Sequence, residues 1–139
     1  MRFMVIVKAS PESESGALPS QQELAEMGKY NEELVKAGVM LAGEGLHDSS
    51  KGARIRFDGS KRAVVDGPFT EAKELVAGFW LWQCRSKDEA IEWAKRIPFR
   101  EGEVEIRQVF ETEEFAPVDP TGELREQENR LREQVASRQ

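Results

Sequence analysis

Cysteine and histidine are almost absent from this chain, and each shortage excludes a class of site. The sequence holds one cysteine, Cys84, and one histidine, His47. A single cysteine cannot form an internal disulfide, which is typical of a protein in a reducing compartment. One histidine and one cysteine also lack the ligand spacing of a zinc site, so we expect no metal. Cys84 has no base beside it in the sequence and is expected to be a buried apolar residue.

Positive charge in excess and long apolar runs are also missing. The 139 residues include 26 acidic and 20 basic side chains, for a formal net charge of −6. Nucleic-acid binding requires a cationic face, so we expect no direct nucleic-acid partner. The apolar run at residues 3–7 is too short to span a membrane, and no signal-peptide cleavage site follows it. Together with the lone cysteine, this leads us to expect a cytoplasmic protein. No phosphate loop or dinucleotide fingerprint is present, so we expect no cofactor.

The rest of the sequence alternates short apolar strands with two helices. Capping boxes begin the helices at Ser20 and Ser86, because in each a glutamate follows three residues later. We expect the helices to end near Gly38 and before Pro98. Strands are predicted at residues 2–8, 39–46, 76–84 and 103–110, with a hairpin at 53–57 and 61–65 and a loop at 11–19. The order is β-α-β-β-α-β with an inserted hairpin, which predicts an α+β, ferredoxin-like fold.

Two of these strands are apolar on both faces, which is typical of the central strands of a sheet. They are residues 2–8 and 76–84, and in the second Trp80 and Trp82 face one way while Phe79 faces the other. Two helices can cover only one face of the sheet, so the other face must be buried elsewhere. A second copy of the chain can cover it through a two-fold interface, and we therefore expect a homodimer. The two tryptophans are expected in the core or in that interface.

The end of the chain differs in composition from the rest. We expect one domain at residues 1–115, followed at residues 116–139 by a proline-marked linker and a helix over 123–135. Pairs of opposite charge four residues apart support this helix, Glu126 with Arg130 and Glu128 with Arg132. Its apolar stripe is thin, consisting of Leu124, Leu131 and Val135. An isolated helix of this length is marginal, so it either docks on a neighbour or stays frayed and exposed.

The segment Asp66-Gly67-Pro68-Phe69 is a turn between the hairpin and a charged helical turn. A turn exposes side chains, so this is the first candidate for a functional site. Asp66 is also a good turn former, because its carboxylate can accept backbone N–H bonds. Gly67 is expected to meet a backbone requirement, through a positive φ or a close approach. Pro68 and Phe69 are expected to shape and pack the turn.

This turn and several flanking motifs resemble the YCII-related, or DGPF-domain, family of small bacterial proteins over about residues 1–115. The matching segments are residues 43–47, 65–74, 78–80, 88–94 and 104–107. The resemblance implies a ferredoxin-like fold that pairs into a dimeric α+β barrel. It also implies that some relatives are enzymes in which a His–Asp pair is proposed to act. Genes of this family often lie beside those of extracytoplasmic-function sigma factors, which suggests a transcription-related role.

His47 is the strongest candidate for acid/base chemistry, because an unperturbed imidazole titrates near neutral pH. A carboxylate beside it would orient one ring nitrogen. The family resemblance implies Asp66 as this partner, and Glu44 and Asp48 are local alternatives. The competing interpretation is a surface histidine without chemistry.

Lys73 and Arg107 are the candidates for binding an anionic ligand, together with Glu44 as a polar contact. Arg107 shares the polar face of the last strand with Glu105, and in a barrel that face would line the interior. The competing interpretation is that both cations form ordinary salt bridges with nearby glutamates, namely Glu71, Glu74 and Glu105.

Three functions therefore remain open. The first is a small-molecule-binding or enzyme-like homodimer, in which a His47–Asp66 pocket performs acid/base chemistry on a small polar or aromatic acid. The second is a non-catalytic regulatory partner of an extracytoplasmic-function sigma factor, since an acidic surface suits a basic protein. The third is a structural dimer with a vestigial pocket.

Overall fold

The computed structural model describes residues 1–138, so the last residue of the predicted C-terminal segment lies outside the described part. Its strands are β1 (Arg2–Lys8), β2 (Met40–Gly45), β3 (Ala53–Asp58), β4 (Lys61–Asp66), β5 (Val76–Gln83) and β6 (Val104–Gln108). Its α-helices are α1 (Pro11–Glu14), α2 (Gln21–Lys36), α3 (Lys87–Ala94) and α4 (Glu123–Ala136). Short 3-10 helices cover Ser49–Lys51, Ala72–Glu74 and Thr112–Val118. Among the described residues, no helix has the length and apolar character needed to cross a membrane.

The main sheet has the strand order β2-β5-β1-β6, and every neighbouring pair is antiparallel. This is the ferredoxin-like arrangement, with β1 and β5 in the centre. The predicted α+β, ferredoxin-like class and the two predicted central strands are confirmed. Strands β3 and β4 pair only with each other and form a separate hairpin.

Side-chain caps begin the two main helices where the sequence predicts them. The hydroxyl of Ser20 accepts a hydrogen bond from the Glu23 backbone N–H at 3.1 Å, and the Glu23 carboxylate accepts one from the Ser20 N–H at 3.0 Å. Ser86 caps α3 in the same way through the Glu89 N–H, at 3.1 Å. The Glu89 carboxylate, however, accepts from the N–H of Arg85 and not from Ser86. The second capping box is therefore only half formed.

One face of the sheet forms the core with α2 and α3. Phe3 lies opposite Trp82 on the central strand pair. Val5 lies opposite Trp80 in the same register. These four side chains are buried together with Tyr30, Leu34, Val39, Cys84, Ala90 and Ile97. Cys84 is thus the buried apolar residue that the sequence predicts, and burial raises the pKa of its thiol.

The other face of the sheet carries a second set of apolar side chains that α2 and α3 do not cover. Met4 lies opposite Leu81, and Ile6 lies opposite Phe79, so the four form a contiguous patch across the two central strands. All four are only partly buried within the described chain. Two helices cover one sheet face and leave the other open, as the sequence predicts.

Two local expectations are wrong. The predicted loop at 11–19 contains α1, because Pro11 starts a helical turn that Ser10 caps through the Ser13 N–H at 3.1 Å. The last strand is shorter than predicted and stops at Gln108. The start of the expected linker, up to Val118, belongs to a 3-10 helix. The predicted C-terminal helix is present as α4, with the Glu128–Arg132 ion pair at 3.2 Å.

Candidate functional site

The Asp66-Gly67-Pro68-Phe69 turn is held against the 3-10 turn that begins at Ser49. The Gly67 N–H donates to the carbonyl of Gly52 at 3.0 Å, and the Phe69 N–H donates to the Ser49 hydroxyl at 2.9 Å. A Cβ on Gly67 would lie 1.7 Å from the Ser49 carbonyl oxygen, so no side chain fits at this position. The turn is therefore fixed by close backbone contact.

Ser49 also binds a residue that the sequence did not indicate. Its backbone N–H and its hydroxyl donate to the Glu14 carboxylate, at 3.1 Å and 2.6 Å. Glu14 closes the short helix α1, so one serine connects α1, the 3-10 turn and the Phe69 backbone. Glu14 lies far from Ser49 in the sequence and within a serine- and glutamate-rich stretch, where no local pattern distinguishes it from its neighbours.

His47 and Asp66 belong to the two segments that meet at Ser49. His47 lies two residues before Ser49, and Asp66 directly precedes Gly67. Both side chains are exposed. Within residues 1–138, neither of them forms a side-chain hydrogen bond or an ion pair. The fold thus brings their backbones into one region, and the His47–Asp66 pairing stays a prediction.

A cavity of about 250 Å³ lies between α2 and the ends of β2 and β5. Its walls are mainly apolar and aromatic. The lining residues are Val7, Met27, Asn31, Gly43, Glu44, Gly45, Ala77, Gly78, Phe79, Trp80 and Phe99. Of the site residues that the sequence predicts, Glu44 belongs to this lining, whereas His47, Asp66, Lys73 and Arg107 do not.

Trp80 forms a fixed aromatic wall of this cavity. Its indole N–H donates to the Asn31 side-chain oxygen at 3.0 Å. A Cβ on Gly43 would lie 2.8 Å from the indole, so the glycine makes room for the ring. Tyr30 packs edge-on against Trp80 with ring centroids 6.0 Å apart, and its hydroxyl donates to the carbonyl of Trp93 at 2.6 Å. Burial raises the pKa of Tyr30, so this phenol stays protonated and structural.

Asn31 supplies the polar side chain that faces Trp80 in the lining. It uses its oxygen for Trp80, and its amide N–H groups have no protein partner among the described residues. It is a site residue that the sequence reasoning missed, although a polar side chain between the apolar Met27 and Leu34 positions of α2 is a usable signal. Glu44 lies opposite Phe79 in the sheet, so its side chain projects to the face away from Trp80. The cavity thus pairs an aromatic wall with one amide donor.

Lys73 and Arg107 lie outside the cavity. Lys73 is exposed in the 3-10 helix Ala72–Glu74. The Arg107 guanidinium pairs with Glu105 at 3.1 Å, and Glu105 also pairs with Lys8 at 3.4 Å. Hydrogen bonds from Arg107 and Lys8 lower the pKa of Glu105. Arg107 thus forms the salt bridge of the competing interpretation, and its role as a ligand contact stays a prediction.

Metal binding finds no support in the geometry. Across residues 1–138, no three histidine, cysteine, aspartate or glutamate side chains converge into a set that could hold a metal ion.

Comparison with known proteins assigns the chain to a family. Residues 1–113 match the YCII-related domain family. The chain belongs to that family. The resemblance that the sequence motifs suggest is thereby confirmed, and α4 lies outside the matched residues.

Two individual proteins are similar to the chain. An uncharacterised protein of Rhizobium meliloti (strain 1021) is 30% identical over 77 residues, which is 55% of this chain and 62% of that protein. The match therefore spans less than two thirds of the relative. A solved structure of 5-chloro-2-hydroxyhydroquinone dehydrochlorinase from Burkholderia phenoliruptrix AC1100, in complex with 2,5-dihydroxybenzoquinone, is 19% identical, with a TM-score of 0.44. The similarity covers 79% of this chain and 94% of that one, and at this score no property is transferred from it.

Proposed function

We propose that this protein of the YCII-related family binds a small aromatic molecule in the cavity beside Trp80 and performs enzyme-like acid/base chemistry on it. The observation that carries the proposal is the cavity itself. It provides about 250 Å³ of space beside the Trp80 indole, with the Asn31 amide in its wall. A dry cavity of ~150 Å³ is already large enough for a benzene ring. The volume therefore suits one substituted ring.

The lining favours a particular substituent. No lysine or arginine belongs to it, so a carboxylate on the ligand would lie there without a counterion. A hydroxyl group can instead accept a hydrogen bond from the Asn31 amide. A hydroxyaromatic compound therefore fits the cavity better than the simple aromatic acid expected from the sequence.

The proposal also assigns roles in proton transfer to His47 and Asp66. His47 follows β2, whose residues Gly43 and Gly45 line the cavity. In the proposal, His47 at the edge of the site accepts the proton of the ligand hydroxyl and passes it to solvent, and Asp66 orients the imidazole. Glu44 has no role in this scheme, since its side chain lies on the other face of the sheet. Lys73 and Arg107 have none either, since neither lines the cavity.

A homodimer is also part of the proposal, with the helix-free face of the sheet as its interface. The support is the apolar patch of Met4, Ile6, Phe79 and Leu81. Obligate dimers bury about 2,000 Å² or more in total, and a four-stranded sheet face is the surface of this chain able to supply most of that area. No comparison supports the sigma-factor alternative, which stays a prediction.

The ligand proposal can be tested by filling the cavity. A panel of phenols, hydroxybenzoates and benzoates is titrated by calorimetry and by NMR of the tryptophan indole N–H signals. A Cβ at Gly45 meets no atom within 4 Å, so Gly45→Val occupies cavity space without a clash. We expect Gly45→Val to weaken phenol binding by about tenfold or more, because the ring and the new side chain compete for one volume. Gly28→Ala, which also adds atoms in open space but on α2, is the control.

The outcomes separate the parts of the proposal. Phenols that bind equally well to the parent protein and to Gly45→Val would show that the cavity is not the site, and binding of no panel member would reject the ligand class. His47→Gln and Asp66→Asn, alone and combined, test the pair. Losses in turnover or affinity that add up fully in the double variant would reject it.

The dimer is tested by placing a charge in the apolar patch. Light scattering at micromolar concentration should give a dimer mass for the parent protein. Ile6→Glu should give a monomer, because a carboxylate would be buried without a partner. Leu18→Glu is the control, since Leu18 is fully exposed in the loop before α2. A parent protein that is monomeric would reject the dimer.

A further inference from the structure

Phe99 lies at the boundary between the cavity beside Trp80 and a second space. It lines the cavity of about 250 Å³, and it also lines a neighbouring groove of about 390 Å³. We call this second space the outer groove. Its other lining residues are Ser20, Gln22, Glu23, Glu26, Pro98, Arg100 and Glu101.

The cavity and the outer groove follow one another along α2. The start of the helix, up to Glu26, contributes to the outer groove, whereas Met27 and Asn31 contribute to the cavity. An α-helix rises 1.5 Å per residue, so the two sets of lining residues are centred roughly 9 Å apart. One molecule with two linked aromatic rings can span such a distance. The two spaces are therefore close enough to be occupied together by one ligand.

The Phe99 ring covers the Trp80 indole at this boundary. Their ring centroids lie 6.4 Å apart, and the ring planes are inclined by 41°. This separation is that of an aromatic contact. Trp80 is 5% exposed, whereas Phe99 is 42% exposed. The indole is thus the fixed inner wall of the cavity, and the phenyl ring is the outer wall on the side of the groove.

The segment that carries Phe99 is fastened at its two ends. Ile97 is buried in the core at one end. At the other end, the carbonyl of Glu103 accepts a hydrogen bond from the Lys8 N–H at 3.1 Å. Between these ends, over residues 98–102, no side chain makes a hydrogen bond or an ion pair with another described residue. A smaller side chain at position 99 therefore removes the outer wall and keeps the anchors of the backbone.

We propose that Phe99 determines ligand size, by limiting the cavity to hydroxyaromatic compounds of a single ring. The inference rests on the proposed function. The phenyl ring lies between the indole and the outer groove, so a ligand held beside Trp80 does not extend along α2. A smaller side chain at position 99 joins the two spaces, and the second ring of a longer ligand then enters the outer groove. The size of residue 99 thus selects among ligands of one chemical class.

The binding of phenol and of 4-phenylphenol, measured by calorimetry, tests this role. Both probes are uncharged at neutral pH, so the charged residues of the outer groove do not bias the comparison. The ratio of the phenol dissociation constant to that of 4-phenylphenol should be about tenfold higher in Phe99→Ala than in the parent protein, because the second ring gains a place to bind. Phe110→Ala is the matched control, since this exposed phenylalanine lines neither space.

Two further measurements keep the test decisive. Phe99→Leu retains an apolar side chain and guards against a folding defect in the alanine variant. It should shift the ratio in the same direction, by about threefold. In Phe99→Ala, intermolecular NOEs from the second ring of 4-phenylphenol to the side chains of Gln22 and Glu26 should place that ring in the outer groove.

The outcomes separate this inference from the proposed function. If phenol binds the parent protein and Gly45→Val weakens it, but the ratio is the same in the parent protein and both Phe99 variants, Phe99 does not limit ligand size and the proposed function stands. An equal rise in Phe110→Ala, or a rise in Phe99→Ala without NOEs to the outer groove, would also overturn the inference. A parent protein that binds neither probe would overturn both.

Discussion

The Gly67 Cα packs so tightly against the Ser49 carbonyl that a Cβ at position 67 would lie 1.7 Å from its oxygen. Gly67 is not among the described glycines with positive φ. Position 67 therefore requires a glycine because two backbones approach closely there. This is one of the two reasons for a glycine that the sequence analysis gives. This contact joins the Asp66–Phe69 turn to the segment that carries His47.

Gly67→Ala should destabilise the protein by about 2 kcal/mol or more, because the two turns must separate to admit the methyl group. Asp66→Asn, one residue earlier, should change the free energy of unfolding by less than about 0.5 kcal/mol, since Asp66 is exposed. Urea denaturation measures both. Gly28→Ala is the control for glycine replacement, because its Cβ would meet open space on α2. Equal, small effects at positions 67 and 66 would contradict the contact.

Ser49→Ala should lower the free energy of unfolding by about 1–3 kcal/mol, because it leaves the Phe69 N–H without its acceptor and removes the hydroxyl, one of the two Ser49 donors to Glu14. Ser50→Ala is the matched control, since Ser50 is exposed and its hydroxyl binds only the carboxylate of Asp48, two residues earlier. The free energy of unfolding of Ser50→Ala should lie within about 0.5 kcal/mol of that of the parent protein. If both serine variants unfold at the same urea concentration, the bridge between α1 and the turn contributes nothing.

The fold was predictable because its signals are periodic and local. Alternating apolar residues on both faces identified β1 and β5, and serine caps identified the starts of α2 and α3. Two local details were not predicted. The capping box at Ser86 is only half formed, and Pro11 starts the short helix α1 in the expected loop. Both depend on side-chain contacts that the apolar pattern does not encode.

The cavity was less predictable, because it depends on residues that are distant in the sequence. Asn31 on α2 and Trp80 on β5 meet only after the sheet has formed, and Gly43 matters only because the indole lies over it. The motif drew attention to Asp66, while the enclosed space lies nearer Glu44. Long-range packing, and not a short motif, thus determines where a ligand fits.

Asn31→Leu should destabilise the protein by about 1–3 kcal/mol, because the Trp80 indole N–H would lose its partner in a largely apolar site. Asn31→Asp keeps an acceptor at the same position and should retain most of the stability. Thermal unfolding monitored by tryptophan fluorescence measures both variants. If the leucine variant is as stable as the aspartate variant, the Asn31–Trp80 hydrogen bond does not hold the cavity wall.

The Asp119 carboxylate should make the order of α4 depend on pH. Burial by itself would raise its pKa, but hydrogen bonds from the backbone and side chain of Arg125 and from the Leu124 N–H outweigh burial and lower the pKa from its ordinary value of 3.8. The folded state therefore binds the proton more weakly than the unfolded chain does. The stabilisation of α4 is fully present above the ordinary value and is lost as the pH falls through the lower, folded value.

Hydrogen-exchange protection of the α4 amides, followed by NMR between pH 6 and pH 2.5, measures this effect. In the parent protein, protection at the start of α4 should be constant down to about pH 4 and then fall in acid, before the main sheet unfolds. Asp119→Asn removes the titrating group. Protection of the α4 amides should then be lower by about fivefold at neutral pH, and it should no longer fall below about pH 4. Asp58→Asn, in the exposed hairpin, is the control and should keep the parent profile. Protection of α4 that is the same in Asp119→Asn and in the parent protein at every pH would show that Asp119 does not cap the helix.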